Sequence, residues 1–163
     1  MVNTISYNDQ RFAEHLDASK DPVWFVARYL SDRGYSIRID PTVWALHTEW
    51  KTARDNGDIY IWKPGWNNGE SQRVEVKQLS AITAPEKFQF PSMMVCAAHS
   101  WDMADPKPLA YMLINKERTY MAMVYSKDQP SWSTRIVPDK RYEGDYKQTM
   151  YLCPLEYVYW VAL

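Results

Sequence analysis

Apolar positions recur at helical spacing near the start of the chain and alternate with polar ones in a series of short segments after Tyr35. Val23, Val26, Ala27 and Leu30 form the stripe of an amphipathic helix. Asp21 followed by Pro22 reads as an N-cap with proline at the first helical position, and Gly34 as the C-terminal stop. A separate, shorter helix is expected after the capping signal Ser6-Tyr7-Asn8-Asp9, with Phe12 and Leu16 on one face. The pattern thus predicts two helices, the second starting at Asp21.

Period-two alternation then predicts strands. Residues 35–39 form the first, ended by Asp40-Pro41, and residues 42–55 are compatible with helix or loop. Residues 56–62 and 73–77 are joined by Lys63-Pro64-Gly65-Trp66-Asn67-Asn68-Gly69-Glu70, a run of turn formers, and read as a β-hairpin. A buried strand is expected over residues 93–98. A second hairpin follows, with residues 109–114 and 119–125 around Asn115-Lys116-Glu117-Arg118. Another strand is expected over 132–137, and an apolar tail from Thr149 is broken at Pro154. This order predicts one domain over residues 1–163, of α/β (α+β) class. Its expected core is a mixed central β-sheet flanked by helices, with extra strands at the C-terminal end.

Three residues of the first hairpin carry the candidate chemistry. In a strand, residues i and i+2 share a face, so Glu75 and Lys77 point one way while Val74 and Val76 point into a core. Asp58, on the partner strand, can lie across from them. Two carboxylates beside one ammonium suit a hard divalent cation, which prefers oxygen ligands. The plainer account is an exposed Glu75–Lys77 ion pair on an edge strand, worth little energetically, with Asp58 as a turn residue.

An acidic residue after glycine, a gap, then Glu-x-Lys resembles the motif of the PD-(D/E)xK, or restriction-endonuclease-like, nuclease superfamily. The matching residues are Gly57-Asp58-Ile59 and Glu75-Val76-Lys77, and the likeness covers somewhat less than half of the chain. No proline precedes Asp58, which departs from the family's pattern. The resemblance implies a restriction-endonuclease-like core and an Mg²⁺-dependent DNA nuclease, with Mn²⁺ as a substitute ion. It also implies roles: Asp58, Glu75 and the Val76 carbonyl hold the metal, and Lys77 assists the attacking water. Many members add an acid from the first helix; Glu14 is the candidate, with Asp21 as competitor. Related nucleases often pair as homodimers to cut two strands.

Composition narrows this without deciding it. The 163 residues are 46% hydrophobic and 24% charged, a globular balance. A formal net charge of −1 gives no general attraction for nucleic acid. A nuclease would need a local basic rim, for which Lys51, Arg54, Lys63, Arg73, Lys87, Arg135, Lys140 and Arg141 are available. The 8 Trp and 12 Tyr serve mainly as packing. Some of them suit a second function class, a non-catalytic module binding nucleic acid or protein through an aromatic surface. Cys96 and Cys153 lie in apolar segments without a C-x-x-C motif and read as buried free thiols. No apolar run approaches the ~20 residues a membrane span needs, and Met1-Val2-Asn3-Thr4-Ile5-Ser6 opens without the apolar core of a signal peptide. A cytoplasmic protein is expected, and the small, aromatic-rich chain would suit a virus-encoded (phage) protein acting in an infected cell. His15, His47 and His99 lack metal-ligand spacing, and no serine elbow or phosphate-binding glycine loop is present.

Overall fold

The computed structural model describes residues 9–40, 58–139 and 145–163, with side chains in the first helix from Lys20 onward. Helix α1 (Asp9–Ser31) leads into β1 (Ser36–Arg38), β2 (Ile59–Trp62) and β3 (Gln72–Gln78). Then come β4 (Ser92–Ala97), the short α2 (Ala98–Met103), β5 (Ala110–Ile114) and β6 (Tyr120–Tyr125). Strands β7 (Ser133–Pro138), β8 (Lys147–Pro154) and β9 (Val158–Ala162) complete the described elements.

Two sheets form. The larger has the order β1-β2-β3-β5-β6-β9, and the smaller β4-β8-β7. Strands β3 and β5 run parallel, and every other pair in both sheets is antiparallel, so the larger sheet is mixed. A parallel pair needs a long crossover. Here the connection between β3 and β5 contains β4, which joins the smaller sheet, and α2.

The pleat sorts the side chains into two cores. Val74 and Val76 on β3, with Ile59, Ile61, Met112, Ile114 and Met121, pack against Val23, Val26, Ala27 and Leu30 of α1. The opposite face presents Tyr111, Leu113, Ala122 and Val124 to Met93, Val95, Cys96 and Cys153 of the smaller sheet, with Trp101 and Trp132 between them. The protein is therefore α+β, with layers of helix, mixed sheet and second sheet.

Several sequence expectations change. One continuous helix replaces the two predicted, and Pro22 lies inside it. Proline lacks the N–H of a helix interior and strains the preceding turn by about 3 kcal/mol. Its ring is fully buried, which offsets that cost. The sheet is not flanked by helices on both faces: α1 covers one, and the smaller sheet with α2 covers the other. Ala98 begins α2 rather than ending β4, and the C-terminal tail resolves into β8 and β9, separated at Leu155–Tyr157. Among the described residues no helix is long and apolar enough to cross a membrane.

Candidate functional site

The predicted hairpin forms, with Ile59 paired to Val74, Tyr60 to Arg73 and Ile61 to Gln72. One step further along this register, Asp58 lies across from Glu75. Even-numbered residues of β3 direct their backbone groups toward β2, whose ladder starts at Ile59. The Val76 N–H thus lies beyond that ladder, and it donates to Asp58 Oδ2 at 2.7 Å. Asp58 replaces the missing strand partner with its own carboxylate. Because N–H and C=O of one strand residue point the same way, the Val76 carbonyl faces the same edge of the sheet as Asp58.

Arg73, Glu75 and Lys77 share the face turned away from α1. Across the β3–β5 pairing, Tyr111 stands beside Glu75 and Leu113 beside Lys77. Glu75 is 8% exposed and Arg73 3%. Arg73 Nε and Nη2 both donate to Glu75 Oε1, at 2.6 and 2.5 Å. A buried carboxylate needs such a partner, because desolvation of an isolated charge is prohibitive. Arg73 was expected on an exposed basic rim; it is instead the buried counter-ion of Glu75. Its place at the head of a run of charges at period two (Arg73, Glu75, Lys77) is the signal that marks it.

The plain account of Glu75 and Lys77 as an exposed pair on an edge strand is overturned. Strand β3 is interior, between β2 and β5. Glu75 pairs with Arg73, and no salt bridge joins Lys77 to a described residue.

The smaller sheet closes over this group. Burial first of all raises the Cys96 thiol above its ordinary value. The adjacent Tyr111 hydroxyl and the nearby Lys77 ammonium act against that rise, while Glu75 and Asp102 add to it. The Tyr111 hydroxyl is likewise raised, chiefly by burial, then by Cys96 and Glu75, with Arg73 opposing. A thiol in this state stays protonated at neutral pH, so Cys96 packs rather than attacks. Asp102, exposed on α2, lies in electrostatic reach of Cys96 and of the Tyr151 hydroxyl. The fold thus brings an acid from α2 toward the β3 face, across a separation that no local pattern reveals.

Glu14 lies on α1 with its side chain outside the described residues, as does that of His15; Lys51, Arg54, Lys140, Arg141 and His47 also fall outside them. Helix α1 packs on the Val74–Val76 face, opposite Glu75 and Lys77. Asp21 is exposed, and its backbone carbonyl accepts from Arg118 at 3.3 Å. Lys63 and Lys87 are exposed, and Arg135 borders an apolar hollow lined by Leu79, Phe88, Phe90 and Met93. The Trp101, Tyr111, Trp132 and Tyr151 rings contact one another at centroid distances of 5.2–6.4 Å, and the first three are buried. That group is core packing, not a contact surface.

Among the described residues no three His, Cys, Asp or Glu side chains gather as a metal site. The oxygen donors at the hairpin are Asp58, Glu75 and the Val76 carbonyl. Mg²⁺ typically takes one or two protein carboxylates and fills its remaining positions with water and substrate phosphate, so this donor set fits it. Compared with family models, curated proteins and solved structures, the chain matches none.

Proposed function

We propose that the protein is a metal-dependent nuclease hydrolysing phosphodiester bonds of DNA, with Asp58, Glu75 and Lys77 as its working residues. The carrying observation is their juxtaposition: Asp58 across from Glu75, Lys77 on the same face of the same strand, and the Val76 carbonyl at Asp58's edge. The order of elements supports the reading too. A helix precedes three antiparallel strands bearing the acidic residue and Glu-x-Lys, within a mixed central sheet, as a restriction-endonuclease-like core implies.

Phosphodiesters resist hydrolysis because their anionic oxygens repel a nucleophile and their leaving group is poor. A bound Mg²⁺ would supply charge neutralisation at phosphorus and a more acidic water. Asp58 and Glu75 would hold it, with the Val76 carbonyl as third donor. Lys77 orients the attacking water and offsets the negative charge that grows on the phosphoryl oxygens. The water oxygen bonds to phosphorus, the bond to the leaving oxygen breaks, and the water's proton passes to solvent. Arg73 fixes the rotamer of Glu75 throughout.

The Arg73–Glu75 pair favours one second reading, a non-catalytic nucleic-acid-binding domain, because Glu75 is neutralised without an ion. Incubation with supercoiled, linear and single-stranded DNA, in Mg²⁺ or Mn²⁺ and then EDTA, separates the two. The nuclease cleaves only with the ion, and Lys77→Ala lowers the rate about 100-fold or more. Equal, EDTA-insensitive cleavage by both proteins, or none by either, leaves the binding domain.

A further inference from the structure

At the end of the larger sheet near the β2–β3 turn, half-buried rings from separate elements meet exposed cations. Tyr125, closing β6, stands edge-on to Tyr159 of β9 with centroids 5.3 Å apart. Tyr35, just before β1, makes the same contact with Trp66 at 5.6 Å. The Arg33 guanidinium lies 3.4 Å from the centre of the Tyr29 ring, Lys63 Nζ 5.4 Å from Tyr35, and Lys127 Nζ 5.8 Å from Tyr125. Side-chain bonds to the backbone tie two of the cations to the end of α1: Arg33 Nη1 donates to the Tyr29 carbonyl at 3.1 Å, and Lys63 Nζ to the Arg33 carbonyl at 3.3 Å. Tyr125 and Tyr159 share their strands' face with Met121, Met123 and Val161, the α1 side on which Tyr29, Tyr35 and Trp66 also pack, so both sets of rings lie on one face of the sheet. Burial first, then Tyr35, Tyr159 and Tyr29, hold the Tyr125 hydroxyl above its ordinary value.

This patch differs from the buried aromatic core. Tyr159 is 48% exposed, and Arg33, Lys63 and Lys127 are exposed. Arg33, Lys63 and Lys127 each cover one face of Tyr29, Tyr35 and Tyr125, while Tyr159, held edge-on, offers its ring to a further flat partner whose phosphates those cations can reach. We infer that this aromatic–cationic patch, centred on Tyr125, binds single-stranded nucleic acid by base stacking and phosphate contacts. A duplex keeps its bases stacked on each other and offers only its backbone. The partner is therefore an unpaired strand. Asp32 and Asp128 adjoin two of the cations in sequence, so binding is weak and strongly salt-dependent rather than driven by a broad basic field.

The inference does not depend on catalysis and is tested without metal. In EDTA at low salt, fluorescence polarisation is measured with labelled 20-mer dT, 20-mer rU and a 20-base-pair duplex. The single strands bind more tightly than the duplex. Tyr159→Ser weakens binding roughly fivefold or more, the scale of one lost stack. Arg33→Ala with Lys63→Ala flattens the dependence of log affinity on log salt, by about 0.7 per lost phosphate contact. Phe90→Ser, an exposed ring outside the patch, leaves binding unchanged, which separates this surface from non-specific aromatic contact. Duplex preference, absence of binding at 100-fold excess protein over probe, or wild-type affinity in folded Tyr159→Ser and Arg33→Ala/Lys63→Ala variants overturns it.

Discussion

Arg73 grips a single oxygen of Glu75 through two nitrogens, Nε at 2.6 Å and Nη2 at 2.5 Å, in a place where both side chains are nearly sealed from solvent. Removing one partner of such a pair strands a buried charge and costs about 3–5 kcal/mol, whereas replacing both by apolar groups is often close to neutral. Arg73→Met and Glu75→Met should each lower the free energy of unfolding in urea by that amount. The double variant should recover most of it, with a coupling of about 2 kcal/mol or more. Additive losses would show that the pair contributes little.

The same pair governs metal affinity. Asp58 and Glu75 bring two negative charges to the hairpin, and Arg73 and Lys77 bring two positive ones. The group is near neutral, so an ion gains little Coulomb energy there until a phosphate joins it. Calorimetric titration of the nuclease-competent protein with Mn²⁺ should show weak binding, tightened by added DNA. Lys77→Met should tighten binding without DNA while lowering cleavage. Tight binding to the protein alone, unmoved by Lys77→Met, would remove the charge-balance account.

Asp58 separates structure from chemistry. Its Oδ2 accepts the Val76 N–H at the open end of the β2 ladder, a bond of about 1 kcal/mol net. Asparagine keeps a carbonyl oxygen for that N–H but lacks the negative charge. Asp58→Asn should therefore change stability by about 0.5 kcal/mol or less yet abolish Mn²⁺ binding and cleavage. Asp58→Ala should lose both the hydrogen bond and the activity. Full activity in Asp58→Asn would confine Asp58 to the hairpin's architecture.

Strands β1, β2, β3, β5 and β6 of the larger sheet were legible because the sheet packs different layers on its two faces, whereas β9 lay unassigned in the apolar tail. Val74 and Val76 against α1, with Glu75 and Lys77 opposite, is what period two encodes. The Asp58–Glu75 register was legible for the same reason, since the turn between the strands fixes the pairing. What escaped was non-local. Asp21-Pro22 carries the local signals of a helix start, yet burial of the Pro22 ring carries the helix through. The smaller sheet pairs β4 with β8, across the whole β5–β6 hairpin, so no local pattern announces it. Arg73 looked like a surface charge because its neutralising partner was assigned to a metal. Asp102 carried no signal at all, its position depending on how α2 follows β4.

The two thiols are buried and free. Burial above all, then Asp128 and Glu156, raises Cys153 to about 11, partly opposed by the neighbouring Trp132 indole. Below the ordinary value of 9.0 both folded and unfolded chains hold the proton, and the contribution to stability is whole. Between 9.0 and about 11 the unfolded chain loses it first, so stability falls with rising pH. Cys96, raised in the same direction, adds to the slope. Urea unfolding from pH 8 to 11 should show this decline, shallower in Cys153→Ala. At pH 8, a thiol-specific disulfide reagent should react with neither cysteine in the folded protein and with both in guanidinium. Prompt reaction of the folded chain would contradict the burial.

Asn115 holds the β5–β6 turn by a side chain that is only 5% exposed. Its Oδ1 accepts the N–H groups of Thr119 at 2.9 Å and Tyr120 at 3.1 Å, and its Nδ2 donates to Thr119 Oγ1 at 2.8 Å. The turn also contains Arg118 at a φ of 57°, a left-handed conformation that costs a non-glycine residue about 1–2 kcal/mol and needs support. Asn115→Ala would leave two backbone donors short of a partner within a sheet whose β5 strand is buried along its whole length. Each such donor costs about 1–3 kcal/mol, so a loss of about 2–4 kcal/mol is expected in chemical unfolding. Asn115→Asp keeps both acceptor contacts and changes only the bond to Thr119, which can reverse, the hydroxyl donating to the carboxylate. It should cost about 1 kcal/mol. The ratio between the two variants is the informative measurement: equal losses would place the stabilisation in the Nδ2 bond rather than in the two backbone N–H groups, and hydrogen exchange at Thr119 and Tyr120 should accelerate in Asn115→Ala alone.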